Sequence, residues 1–177
     1  MFEPNTVYAK IAYDAILLYL KTEKKLFKEE SEIPPALKLK LACYVSLYSG
    51  NQLKGRVGNT SPTHQHLYNE IIENAVAAAF DEQRSDTLKE EELNNISIVV
   101  DVLSEPKKVE DVGQLKPQKH GVIVEDDEGR RGLLLPNVNG SRSTETILEE
   151  ARKQGGIKPE TPLDQLHIYS FTTTSYQ

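Results

Sequence analysis

The sequence predicts an α+β fold in which helices cover an antiparallel or mixed β-sheet, with room for a small helical subdomain. Three observations lead there. Runs with period-two apolar alternation come mostly in neighbouring pairs joined by turn residues, the pattern of hairpins. Helical periodicity precedes these runs and falls between them without strict strand and helix alternation. A doubly wound parallel sheet would need repeated strand, helix, strand units with a glycine-rich turn after the first strand, and that order is missing.

The first helix is drawn by Val7, Tyr8, Ile11, Ala15 and Leu18, with Ala12 and Tyr19 beside them, and it should cover a sheet. It opens near Pro4 and Asn5 and fades into the charged run at 21–32; Pro34 and Pro35 close the region. From Leu39 the period changes to two: Leu39, Leu41, Cys43, Val45 and Leu47 alternate with Lys40, Ala42, Tyr44 and Ser46. Ser49, Gly50 and Asn51 supply a turn, and residues 53–57 follow as an antiparallel partner. A helix over 65–80 carries Leu67, Ile71, Ile72, Ala75, Ala78 and Ala79, small enough at its C-terminal end for close packing. A short acidic helix at 88–94 precedes a strand at 96–103, and the stretch 106–119 reads as irregular. Residues 121–125 and 131–135 form a second hairpin around a turn at 126–130. A helix over 144–153 is ended by Gly155 and Gly156 through a left-handed residue, and 166–176 closes the chain as one strand.

Composition narrows the function. A chain of 177 residues suits one domain over 1–177 that buries its own core. With 38% hydrophobic and 27% charged residues and a mean hydropathy of -0.50, it is an ordinary globular chain. The single cysteine, Cys43, excludes an internal disulfide, no secretory leader pattern is present, and the expected compartment is the reducing cytoplasm. The most apolar stretch is broken by Lys10 and Asp14, so no membrane span is expected. Net charge -6 and the absence of tryptophan make nucleic acid a poor partner.

Residues 53–58 read LKGRVG, with Gly55 and Gly58 three apart at the end of the first hairpin, where a ligand or another backbone can come close. Taken alone, the spacing fits a strand end with a bulge. It is no phosphate loop, since the following Lys-Ser or Lys-Thr is absent. In sequence, however, LKGRVG resembles the LRGCIG signature of the AMMECR-type family, protein A of the AmmeMemoRadiSam system. It follows ACYVSL at 42–47, and ENAVAAAF at 73–80 with Arg84 after it, the strand ending in VLS at 102–104, KHGV at 119–122 and RGLLLP at 131–136 resemble further family motifs in the same order. The resemblance implies association with a Memo-type protein and a radical SAM protein and implies no settled reaction. Where that signature has a cysteine, this chain has Arg56, so no thiolate or metal role carries over there. A guanidinium can instead hold a carboxylate or a phosphate through its planar fork.

The candidate ligand or partner surface is therefore Gly55, Arg56, Gly58, Asn74, Arg84 and His120. His120 stands just before a strand and is the best placed of the four histidines, while His64 and His66 lack an identifiable third ligand and fit a solvated loop. Cys43 lies on the apolar face of a strand and reads as core, and Asn74 on an alanine-rich helix face fits a buried contact to neighbouring backbone. Arg130, Arg131 and Arg142, with Arg84, could converge on an anion. No catalytic constellation, metal cluster or cofactor is predicted. Two functions stay open: an interaction or accessory module that needs no nucleophile, and an enzyme that binds a small anion around LKGRVG with His120 as proton donor or acceptor.

Overall fold

The computed structural model describes residues 4–80, 88–136, 140 and 142–177, apart from the side chain of Glu90. In chain order its elements are α1 (Val7–Thr22), β1 (Cys43–Ser49), β2 (Gln52–Gly58), α2 (Leu67–Phe80), α3 (Glu90–Leu93), β3 (Ile96–Leu103), β4 (Lys107–Lys108), β5 (Gly121–Asp126), β6 (Arg131–Leu134), α4 (Thr144–Gln154), β7 (Leu166–Phe171) and β8 (Thr173–Tyr176). Short 3-10 turns intervene, as at Pro35–Leu37 and Val112–Gln114. The strands form two sheets of order β2-β1-β3-β8 and β4-β7-β5-β6. The residues divide into two compact units, one up to Val102 with Thr174–Gln177 and one of Leu103–Thr173. The class is α+β with antiparallel sheets, as the hairpin pattern predicts.

In the first unit, α1 is capped by Thr6, whose hydroxyl accepts from the Ala9 N–H at 3.3 Å, and ends at Glu23 in the left-handed region (φ 56). Its buried stripe is Ala9, Ile11, Ala12, Ala15 and Ile16. Val7, expected on the apolar face, is 49% exposed. The stripe is rotated because α1 packs chiefly on α2, which itself lies on the sheet. Alanines suit that position because they let helix backbones approach closely, while Tyr8 of α1 stacks on Tyr176 of β8 with centroids 3.9 Å apart. Strand β1 begins at Cys43, later than the alternation from Leu39 suggests. The Leu39 carbonyl accepts from the Leu67 N–H at 2.9 Å, so this stretch serves the first turn of α2 instead of a sheet ladder.

Gly50 takes φ +56 in the tight turn between β1 and β2. The register then runs Ser49↔Gln52 and Tyr48↔Leu53 but Leu47↔Gly55, leaving Lys54 as the extra residue of a β-bulge. Cys43, Val45 and Leu47 point into the core shared with α1 and α2, together with Ile98 and Val100 of β3. Tyr44, Ser46 and Tyr48 belong to the opposite face of the strand.

The second unit folds β5 between β6 and β7 and packs α4 on it through Ile147, Leu148 and Ala151. Helix α4 starts at Ser143, whose hydroxyl accepts from the Thr146 N–H at 3.2 Å, and it is followed by Gly156 at φ +66, the left-handed residue anticipated there. The β5–β6 turn is built by Asp126, whose carboxylate accepts from the N–H groups of Glu128 (3.0 Å) and Arg130 (2.9 Å) and from Arg130 Nε (2.7 Å). Burial alone would raise the Asp126 carboxyl pKa; these donors and the Arg130 charge bring it below the usual carboxylate value. Residues 106–119, read as irregular, contain β4, which pairs with β7. The closing run, predicted as one strand over 166–176, is two: β7 pairs with β5 in the second sheet and β8 joins β3 in the first. Thr172 separates them, with its carbonyl accepting from the Ser104 N–H at 2.9 Å. Alternation of side chains is the same on either side of such a crossing, so the pattern gives no sign of it.

Gly132 sets how closely α4 approaches β6. A Cβ there would run into the Ala151 carbonyl, a backbone group with nowhere to move. Gly132→Ala should therefore destabilise the protein by about 1–3 kcal/mol, the range for overpacking, read as a lower urea midpoint with an unchanged slope.

Candidate functional site

Strand pairing brings one polar side chain from each strand of the first sheet into a single chain of bonds. Arg56 on β2 is opposite Ser46 on β1, and Asp101 on β3 is opposite Tyr44. The Arg56 guanidinium donates through Nε to Ser46 Oγ at 2.9 Å and through Nη2 to Asp101 Oδ2 at 3.2 Å. The Ser175 hydroxyl of β8 donates to the other Asp101 oxygen. Ser46 and Asp101 are buried, whereas about a third of the Arg56 side chain (35%) remains accessible. Its carbon Cζ lies 6.0 Å from the Tyr44 ring centroid, within cation–π range. Burial raises the Tyr44 hydroxyl pKa and the Arg56 charge opposes the shift.

Behind this face, Asn74 on α2 donates from Nδ2 to the Cys43 carbonyl at 3.0 Å, with the Cys43 sulfur at 3.5 Å. Burial pushes the Cys43 thiol up to about 12, with the Asn74 contact only partly opposing it, so the sulfur stays protonated and non-nucleophilic. Gly58 is required for the approach of β2 to β1: a Cβ would sit 2.5 Å from the Cys43 carbonyl oxygen and equally close to the Tyr44 ring. Gly55 is buried opposite Leu47, just past the bulge. Arg56, Gly55, Gly58 and Asn74 thus gather around β1 in the first unit.

His120 belongs to the second unit. Its Nδ1 accepts from the Lys116 N–H at 3.2 Å, which assigns the neutral ring's proton to Nε2 and makes the imidazole part of a turn. Arg84 lies outside the described residues. The other arginines do not converge on one point: Arg130 pairs with Asp126 and Glu128, Arg131 reaches Glu125 at 4.0 Å and Arg142 reaches Glu150 at 3.3 Å. A cleft of about 320 Å³ in this unit is walled by the Asp126–Arg130 turn and by Lys158, Glu160 and Gln165.

Sequence reasoning missed Glu70 entirely. Buried in the first turn of α2, its carboxylate accepts from the N–H groups of Thr63 (3.0 Å) and His64 (2.9 Å) and from the Thr63 hydroxyl. The signal was available in the threonine, two histidines and proline that precede an acidic first turn. His66 is partly exposed in its loop, with its Nδ1 3.0 Å from the Lys38 carbonyl, so that nitrogen carries the proton. Among the described residues no group of three or more His, Cys, Asp or Glu is placed to hold a metal ion, and no helix is long and apolar enough to cross a membrane.

A family model described as AMMECR1 matches residues 9–176. The chain belongs to the AMMECR1 family. A relative from Thermotoga maritima is 37% identical over 171 residues, covering 96% of this chain and 97% of that protein. Protein CA_C1420 of Clostridium acetobutylicum is 33% identical over 85% of this chain, but the match spans only 32% of that longer protein. The crystal structure of the uncharacterized protein PH0010 from Pyrococcus horikoshii superposes with a TM-score of 0.82 at 30% identity, covering 95% of this chain and 88% of that one. AMMECR1 membership agrees with the resemblance carried by the motifs around LKGRVG.

Two tests address this arrangement. Arg56→Ala, and equally Arg56→Cys, should lower stability by about 1–2 kcal/mol, the range for a partly exposed charged hydrogen bond. The loss should shrink in an Asp101→Asn background if the Arg56–Asp101 contact carries it. For Cys43, the raised folded pKa means its stabilising contribution is complete below its ordinary value near 9.0 and is lost as the pH rises toward about 12. Urea unfolding at about pH 8 and about pH 10.5 should therefore show a smaller alkaline loss in Cys43→Ala than in the wild type.

Proposed function

We propose that residues 1–177 work as one AMMECR1-type domain in the cytoplasm, as a non-catalytic accessory component that acts with Memo-type and radical SAM proteins. The observation that carries this reading is the commitment of the polar groups around LKGRVG to internal bonds. Arg56 is held by Ser46 and Asp101, and Asn74 holds the Cys43 carbonyl. The one cysteine, Cys43, is buried and keeps its proton, and the buried Ser46 hydroxyl accepts from Arg56, a partner that cannot act as a base. An interaction module needs a stable scaffold with shaped edges, and a guanidinium neutralised by Asp101 is a better brace than an anion receptor.

The alternative is an enzyme that binds a small anion at the accessible third of Arg56. Native mass spectrometry of the tagged protein, purified gently from its own host beside Arg56→Ala, separates the two. A stoichiometric Memo-type or radical SAM partner with no retained small mass is the expected result. A small anion that accompanies the wild type and disappears from Arg56→Ala would overturn the accessory reading in favour of the enzyme.

A further inference from the structure

The accessory reading leaves open how a partner would be gripped, and the first sheet offers one edge suited to it. Of the outer strands, β2 is the longest with 7 residues; β8 and β6 have 4 and β4 has 2. Strand β8 is followed at once by Gln177, whose carbonyl accepts from the Asn5 N–H at 3.1 Å. Strand β6 lies against α4 at Gly132. Among the described residues β2 has β1 as its only strand neighbour. An antiparallel strand bonds a given neighbour only through alternate residues, so half of the β2 backbone groups face outward. It contains no proline to block a ladder, and Gln52, Leu53, Lys54 and Arg56 are exposed.

Charge selects the occupant. Residues 33–69, which contain β1 and β2, include Lys38, Lys40, Lys54 and Arg56 and not one aspartate or glutamate, in a chain whose net charge is -6; of these cations Arg56 is already paired with Asp101 of β3. A second copy of this chain paired edge to edge about the middle of β2 would bring Lys54 near its own kind, and like charges directly opposite are unfavourable. An acidic strand meets the opposite situation. Leu53, 47% exposed beside these cations, adds an apolar anchor. The bulge at Lys54 and the lysine itself discourage indiscriminate strand pairing, so a strand added here must bring complementary charge.

We infer that the outer edge of β2 docks an extended, acidic segment of a partner protein, in which carboxylates alternate with apolar side chains, and that the segment adds to the first sheet as a fifth strand. This inference rests on the accessory reading. Main-chain bonds supply the affinity, while the exposed Lys54 and Leu53 supply the selection.

The test uses the isotope-labelled full chain and three acetylated octapeptides of alternating residues: Glu and Val, Lys and Val, and Glu and Pro. The Glu–Val peptide should shift the NMR signals of β2 and slow hydrogen exchange of its amides, less so at high salt. The other two peptides should leave β2 unchanged. Lys54→Glu, which removes an exposed charge outside the Arg56 network, should weaken binding by about tenfold or more, the scale of a lost charge contact with an added repulsion. The inference is overturned by an unperturbed β2, by equal effects of the Lys–Val peptide, or by β2 protection that rises with protein concentration alone. The same variant tagged in the host keeps the two ideas apart. A partner captured by Lys54→Glu at the wild-type level would sink the β2 edge and leave the accessory reading standing, whereas a wild type that captures no partner would sink the reading itself.

Discussion

A helix buried on nearly every side must find partners for most of the polar groups it carries, and α2 is such a helix, although its buried Tyr68 hydroxyl is left without one among the described residues. Ten of its side chains are buried, Glu70 and Asn74 among them. Leaving either unpaired would cost the full desolvation of a carboxylate or an amide. Glu70 answers this by gathering Thr63 and His64, which fixes the path of the loop after β2. Asn74 answers it by bonding the Cys43 carbonyl at the start of β1, and the Leu67 N–H takes the Leu39 carbonyl. The loop, the start of β1 and the approach to β1 are thus all positioned by satisfying one helix.

On the other face of the same sheet, Arg56 performs a related task with charge. It spans β2, β1 and β3, and Asp101 extends the bonding to Ser175 on β8. A cysteine, the residue of the resembled signature at this position, could reach Ser46 at most and could not neutralise Asp101. A guanidinium here gives this face of the sheet a charge that a thiol would not. Here the position is a cross-strand brace.

Much of this architecture was legible in the sequence because it depends on local pattern. Period-two alternation located β1, β3 and both hairpins, and Gly156 announced the end of α4. Where tertiary partners decided, the pattern fell short. The buried stripe of α1 turned toward α2, which no periodicity within α1 encodes. Leu39 alternated correctly for a strand yet gave its carbonyl to α2. Of the site residues, the glycines were readable as points of close approach, and Gly58 is one in atomic detail. The partners of Arg56 were not readable, because Asp101 and Ser175 are brought to it only by sheet order.

That order has a consequence for how the protein is made. Strand β8 completes the first sheet beside β3, but the whole second unit is translated between them. While that unit emerges from the ribosome, β3 is an apolar edge without its neighbour, and Asp101 lacks the Ser175 hydroxyl. The first sheet cannot be whole until the second unit has been synthesised. Nascent chains are therefore vulnerable to premature edge pairing for as long as the intervening residues take to synthesise, a hazard that a chaperone covering β3 would relieve.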